Sequence, residues 1–241
     1  MRTGVIIQTR MGSTRLPGKV MLDICGKTVI EHIIERLKQM RRIDEIIIAT
    51  TTKLQDDIIV EQAMKNGIEY YRGSEDNVLA RYYFTAKANS LDVILRITSD
   101  CPLIDPHICD NIIRYYCDSK YDIVTNASQD LKQRTYPRGL DCECFSFGAL
   151  EEAFLKADKN YQKEHVTPYI YENSKSIFYY KNSKDFSIYR WTLDTIEDYQ
   201  MITAIYKEFY KGKHDFYFED IIKFLEKHPE VHELNMGVEQ K

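Results

Sequence analysis

The chain has 241 residues, 44% of them hydrophobic, with 33 Lys and Arg against 37 Asp and Glu for a net charge of −4. That balance, with a pI near 5.9, argues against the clustered basic footprint of a nucleic-acid binder, and no apolar run approaches the ~18 residues of a membrane span. The six cysteines (25, 101, 109, 117, 142 and 144) form no C-x-x-C pair, which excludes a zinc ribbon and a thioredoxin-like motif; reduced thiols in a soluble cytoplasmic protein, without nucleic-acid or membrane partners, are expected.

The first element is the apolar run Val5-Ile6-Ile7, which reads as a buried strand. From Gln8 to Lys19 the chain then supplies Gly12, Ser13, Thr14, Pro17 and Gly18, so it must loop. Arg10, Arg15 and Lys19 sit in this loop, with no acidic residue before Asp23. Free amides and three cations at a strand end suit a polyphosphate, although a solvated basic turn would carry the same letters. Five residues separate Gly12 from Gly18 and Val20 follows Lys19, so the loop is not a P-loop, and G-x-G-x-x-G is absent.

Arg10, Ser13, Arg15, Leu16, Pro17 and Lys19 match, position by position, the Arg-x-x-Ser-x-Arg-Leu-Pro-x-Lys loop of the cytidylyltransferases that activate acidic sugars. The chain resembles that group, the CMP-KDO and CMP-sialate synthetases, and within it the SpsF-type branch of spore-coat polysaccharide biosynthesis. The resemblance implies a Rossmann-like nucleotidyltransferase fold, GT-A-like, in three α/β/α layers with a mostly parallel sheet. It implies one domain over 1–241, with a small substrate and dimerisation region near 126–185. In that group the loop wraps the triphosphate of CTP, which makes Arg10, Arg15 and Lys19 the catalytic cations and Met11, Gly12 and Ser13 nucleotide contacts.

Val20–Asp23 reads as a short extended piece. Thr28-x-x-Glu31 is a capping box opening a helix with Val29, Ile30, Ile33, Ile34 and Leu37 on one face, His32 falling on the solvent side. Strand Glu45–Thr50, a helix over 56–66 and strand Ile68–Tyr71 complete a βαβαβ pattern with parallel strands. Ser74 then reads as the N-cap of a helix through Val78, Leu79 and Tyr82. The resemblance makes Arg72, Ser74 and Arg81 base-side candidates; capping for Ser74 and a surface position for Arg81 are the alternatives.

Val93–Thr98 is a buried strand running into Ser99-Asp100-Cys101-Pro102, with Asp105 capping the next helix. Ligands of open parallel sheets bind beyond the carboxyl ends of the strands, and a carboxylate facing a cationic phosphate loop suits Mg²⁺; a turn or cap role for Asp100 is the alternative. The family carries a metal-binding Asp here and a second in an Asp-Thr-x-x-Asp segment, which maps to Asp194. Asp198 then reads as the partner of Thr195 in a capping box.

Tyr121–Thr125 reads as a strand, 126–138 as irregular, and Pro137–Phe145 as the start of another strand. Helices over 147–157 and 161–172, strands at Ile177–Tyr180 and Ile188–Trp191, and C-terminal helical pieces follow. By resemblance to the SpsF-type branch, Arg138, Asp141 and His165 border the acceptor, against an ordinary edge strand and a buried histidine. The resemblance thus implies transfer of CMP from CTP to a small acidic or phosphorylated sugar-like acceptor by an Mg²⁺-dependent homodimer. A glycosyltransferase is the alternative enzyme, disfavoured because Ser99-Asp100-Cys101 replaces its usual Asp-x-Asp; a nucleotide-binding protein without catalysis is the alternative outside enzymes.

Overall fold

In the computed structural model, which describes residues 1–128, 130 and 132–239, Val5, Ile6 and Ile7 form the buried centre of the first strand. Gln129 and Leu131, inside the stretch read as irregular, lie outside the described residues, as do Gln240 and Lys241. In chain order the first half comprises β1 (Thr3–Gln8), β2 (Asp23–Ile24), β3 (Lys27–Thr28), α1 (Val29–Leu37), β4 (Glu45–Thr51), α2 (Asp57–Lys65), β5 (Glu69–Gly73), α3 (Val78–Ala88) and β6 (Val93–Thr98). The second comprises α4 (Pro106–Cys117), β7 (Ile123–Thr125), β8 (Glu143–Ser146), α5 (Phe147–Lys156), α6 (Asn160–His165), α7 (Pro168–Asn173), β9 (Ile177–Tyr179), α8 (Ile196–Phe209), α9 (Phe218–Lys227) and α10 (Pro229–Glu233).

Seven strands form one sheet in the order β5-β4-β1-β6-β8-β7-β9, with β8 antiparallel to both its neighbours and every other pairing parallel. The period-2 alternation of the strands builds the layers. Val5, Ile7, Ile46, Ile48, Leu95 and Ile97 pack on one face, with α1, α4, α8 and α9. Ile6, Ile47, Ala49 and Ile94 pack on the other, with α3, α5 and α7. The three-layer α/β/α sandwich is therefore the expected fold. Its strand order reverses between β1 and β6, and the cleft that opens beyond their carboxyl ends is where ligands of such sheets bind.

Several local expectations give way to stronger constraints. Lys19–Met21 is a 3-10 turn rather than an extended piece, because Gly18 (φ 69°) reverses the chain and Met21 N–H returns to the Gly18 carbonyl at 2.8 Å. Asn77, not Ser74, caps α3 by accepting from Ala80 N, and Ser74 Oγ instead accepts from Asn77 N at 3.0 Å. The 161–172 helix breaks into α6 and α7 at Val166 (φ 71°), just before Pro168 opens α7. Residues 137–142 and 188–191 form no regular strand; Arg138 and Arg190 share an isolated bridge, and β8 begins only at Glu143. The bridge brings Gly139 (φ 98°) so close to Trp191 that a Cβ would lie 2.4 Å from the tryptophan's backbone carbon. His32 is fully buried, bonded to His214 at 2.8 Å and to the Ile24 carbonyl at 2.7 Å, because α8 and the segment after it cover the face of α1 that the helix period alone leaves outside.

Candidate active site

A cleft of about 780 Å³ opens at the strand ends and gathers residues from the loop after β1, the first turn of α3, the end of β6, the segment before α8, and α6. The loop is shaped by its own backbone: Ser13 N and Gly18 N both donate to the Met11 carbonyl, at 2.8 and 3.1 Å. Met11 N is held from outside by Asp56 Oδ1 at 2.7 Å. Asp56 is fully buried, its other oxygen accepting from the Thr51 hydroxyl at the end of β4. This leaves the amides of Gly12, Thr14 and Arg15 without an acceptor among the described residues, a concave row of donors of the kind that takes phosphate oxygens.

Arg10, Gly12, Ser13, Arg15 and Lys19 border the cleft. Met11 does not: its amide is committed to Asp56 and its side chain packs on the core. Lys19 Nζ reaches Asp194 Oδ1 at 2.9 Å, Asp100 Oδ2 at 3.3 Å and the Leu193 carbonyl at 2.8 Å. Arg15 Nη2 meets Asp194 Oδ2 at 3.0 Å, and Arg10 Nη1 meets Glu75 Oε1 at 3.4 Å. Asp100 and Asp194 are thus brought together from positions 94 apart in the chain, and a backbone bond from Leu193 N to the Asp100 carbonyl, 2.8 Å, ties their segments.

Asp194 is presented from below by a buried network. Arg190 Nη2 donates to Asp194 Oδ2 at 2.8 Å, and Arg190 Nε to Asp198 Oδ1 at 2.9 Å. Asp198 also accepts from the backbone N–H of Asp194 (2.9 Å) and Thr195 (3.0 Å) and from Asn235 Nδ2 (2.8 Å). Asp198 is fully buried and does not border the cleft; it completes the expected capping box and fixes the angle of Asp194. Burial works against the charge on Lys19, but Asp100 and Asp194 outweigh it and raise its pKa. Burial likewise works to raise Asp100, but Lys19 and Thr98 outweigh it and hold the carboxyl below its ordinary value. Both groups are charged at neutral pH.

Among the described residues no three His, Cys, Asp or Glu side chains form a metal cage. Two carboxylates are nevertheless the protein share that Mg²⁺ ordinarily takes when waters and substrate phosphates complete its coordination. The hard oxygens of Asp100 and Asp194, shared here by the Lys19 ammonium and lying beside a loop with three free amides, are of the kind that ion takes.

Arg81 borders the cleft and is buried, donating to the Ser74 carbonyl at 2.7 Å, while its Nε–H has no acceptor. Arg72 and Ser74 lie outside the cleft lining; Arg72 spends its donors on the Thr51 and Lys53 carbonyls and on Asp57. His165 borders the cleft. Arg138 and Asp141 do not: Asp141 pairs with Arg134 at 2.5 Å, and the Arg138 backbone bridges to Tyr189 and Trp191. Sequence reasoning missed Asp56 and Arg190. Asp56 follows a buried strand as Asp100 does, which was a usable signal; nothing local marks Arg190.

A family model described as "Cytidylyltransferase" matches residues 4–240. A Methanocaldococcus jannaschii protein is 40% identical over 98% of this chain and 95% of its own. The spore coat polysaccharide biosynthesis protein SpsF of Bacillus subtilis is 34% identical over 84% of this chain and 85% of its own. Among solved structures, a cytidylyltransferase of Leptospira borgpetersenii superposes with a TM-score of 0.90 at 37% identity, covering 96% of this chain and 97% of that one.

Proposed function

This chain belongs to the cytidylyltransferase family of CTP-dependent nucleotidyltransferases, and from that premise we propose that it transfers CMP from CTP to a small acidic or phosphorylated sugar-like acceptor, releasing pyrophosphate, in the supply of precursors for a cell-surface polysaccharide. The observation that carries the reading is the convergence of Asp100 and Asp194 on Lys19 of a loop in which the amides of Gly12, Thr14 and Arg15 are free.

An acceptor oxygen, either a phosphate oxygen or a hydroxyl that releases its proton to water, attacks the α-phosphorus of CTP, a P–O bond forms, and the bond to pyrophosphate breaks. Such a step needs alignment and charge neutralisation more than covalent help from the protein. Arg10, Arg15 and Lys19, with the amides of Gly12, Thr14 and Arg15, hold the β- and γ-phosphates and neutralise the departing pyrophosphate. Asp100 and Asp194 would hold Mg²⁺, which when bound supplies Lewis-acid stabilisation of charge at the transferring phosphate. Arg190 and Asp198 keep Asp194 in place through this. The buried, unpartnered Nε–H of Arg81 is a donor suited to a carbonyl or ring nitrogen of the base.

The region 126–185 forms the acceptor side, through α6 and His165. The six unbridged cysteines suit a reducing cytoplasm, and a homodimer, implied by the resemblance, is checked by light scattering. The deciding experiment measures pyrophosphate release with Mg²⁺ for each of the four nucleoside triphosphates against a panel of acidic and phosphorylated sugars. CTP-specific release with one acceptor is expected; consumption of a nucleotide-sugar with no such release would overturn the assignment.

A further inference from the structure

A lysine ammonium has three N–H donors, and Lys19 spends all three on the protein: on Asp194 Oδ1 at 2.9 Å, on the Leu193 carbonyl at 2.8 Å and on Asp100 Oδ2 at 3.3 Å. In this arrangement no donor remains for a phosphate oxygen, although Lys19 stands at the end of the phosphate loop. The same contacts take one oxygen from each of the two cleft aspartates. The Lys19 and Asp194 side chains are only 12% and 10% exposed, so salt screens the cluster weakly.

The charges around the pair are balanced. Asp100, Asp194 and Asp198 face Lys19, Arg15 and Arg190. A divalent cation entering that balanced cluster would meet three cations with no carboxylate charge left to offset it. The three cations are not held alike. Arg190 is buried, and its planar fork spans Asp194 and Asp198 with bonds of 2.8, 2.9 and 3.1 Å, so it stays with the carboxylates. Lys19 and Arg15 belong instead to the loop whose Gly12, Thr14 and Arg15 amides are free. Lys19 carries its charge on a flexible four-carbon stem, rooted where Lys19 N donates to the Leu16 carbonyl at 3.2 Å. Rotation about that stem moves the ammonium from the carboxylates towards the loop with the backbone unmoved.

We propose that Lys19 is an exchangeable counter-ion: it closes the Asp100–Asp194 pair to divalent cations until the triphosphate of CTP draws its ammonium onto the phosphate oxygens, which opens the pair to the metal. The inference rests on the reading that the cleft takes CTP with Mg²⁺. Nucleotide and metal then depend on each other, each raising the affinity of the other by the same factor, and the carboxylate pair takes up no metal on its own.

The test titrates the full chain with Mn²⁺, a paramagnetic ion that shares the preference of Mg²⁺ for carboxylate oxygens, and counts the unbound ion by electron paramagnetic resonance; neither acceptor nor turnover is needed. Without nucleotide, Lys19→Met binds Mn²⁺ at least about tenfold more tightly than the wild type, and Lys19→Arg, which keeps a cation there, does not. Adding Asp194→Asn to Lys19→Met abolishes the gain, which locates the ion. Arg10→Met removes a loop cation that pairs with Glu75 instead, and shifts Mn²⁺ affinity by less than about twofold. In EDTA, calorimetry finds CTP bound about tenfold more weakly by Lys19→Met than by the wild type. Urea titrations check each fold, and should Lys19→Met not fold, Lys19→Gln carries the same expectations.

Closure is overturned if Lys19→Met takes Mn²⁺ no more tightly than the wild type, or if Arg10→Met tightens it as much, since the effect is then one of net charge. The exchange is overturned if Lys19→Met leaves CTP affinity unchanged, because the ammonium then never reaches the phosphates. Where the wild type binds CTP and takes up Mn²⁺ once CTP is present, these results overturn the exchange alone. Where CTP does not bind, or Mn²⁺ is not taken up even with CTP, the nucleotide or the metal reading falls with it.

Discussion

Asp56→Ala is the perturbation that most directly probes how the phosphate loop is held. The wild-type carboxylate is fully buried and accepts the Met11 N–H at 2.7 Å together with the Thr51 hydroxyl. A hydrogen bond to a charged group contributes about 1.5–3 kcal/mol, and the alanine leaves the Met11 amide without its acceptor. If that bond is what keeps the loop in its phosphate-ready form, the variant weakens CTP binding by about 10- to 100-fold, because only the ordered fraction of loops binds. Asp56→Asn keeps an acceptor of the same shape without the charge, and falls between wild type and alanine, about three- to fivefold. Calorimetric titration with CTP reads both, and a urea titration checks that the fold survives. CTP affinity within about twofold of wild type for Asp56→Ala would refute the idea that this anchor preorganises the loop.

Other substitutions test the frame around the cleft. Arg96→Met leaves the buried Glu143 carboxylate without its cation and should cost about 3 kcal/mol in a urea titration, the low end for such pairs because Thr167 and Tyr171 still donate to it. Gly139→Ala places a Cβ 2.4 Å from the Trp191 backbone at a φ of 98° and should cost about 4 kcal/mol, read as a lowered thermal midpoint. Glu31 gives a pH dependence: burial works to raise its carboxyl, but Lys65 and the Thr28 donors outweigh this and hold it at about 2, below 4.5. The folded value lies below the unfolded one, so its stabilisation is complete above pH 4.5 and is lost as pH falls towards 2. The loss is about 2 kcal/mol, allowing for the exposed Lys65, and Glu31→Gln flattens this part of the stability–pH curve.

The fold was legible wherever local pattern and global packing agree. The apolar runs at Val5–Ile7, Ile46–Ile48 and Val93–Ile97 became central parallel strands because both faces of the sheet are covered. The caps at Thr28, Asp105 and Thr195 formed as their spacing requires. Legibility failed where a distant segment decides the outcome. His32 is buried by residues more than 160 positions away, and Ile188–Trp191 is held by the loop that brings Gly139 against the Trp191 backbone. Arg10, Arg15, Lys19 and Asp100 could be placed at one cleft because each follows a strand, and Asp194 through its match to the family's Asp-Thr-x-x-Asp segment. Asp56 carried the same signal as Asp100, a carboxylate after a buried strand, but its role depends on Met11, 45 positions away; Arg190 was not readable, because nothing in the letters shows its side chain turning onto Asp194 and Asp198. Arg72 and Asp141 look functional as letters, yet the fold commits them to Asp57 and Arg134.

The central claim is that Asp100 and Asp194, gathered by Lys19, form the reacting centre. Its most direct measurement is pyrophosphate release from CTP, Mg²⁺ and the acceptor found in the panel, by the wild type and by Asp100→Asn and Asp194→Asn, with urea titrations alongside. The predicted result is loss of release by at least about a thousandfold in both variants, with their folds intact and CTP still bound. Turnover near the wild-type rate in either variant would contradict the account.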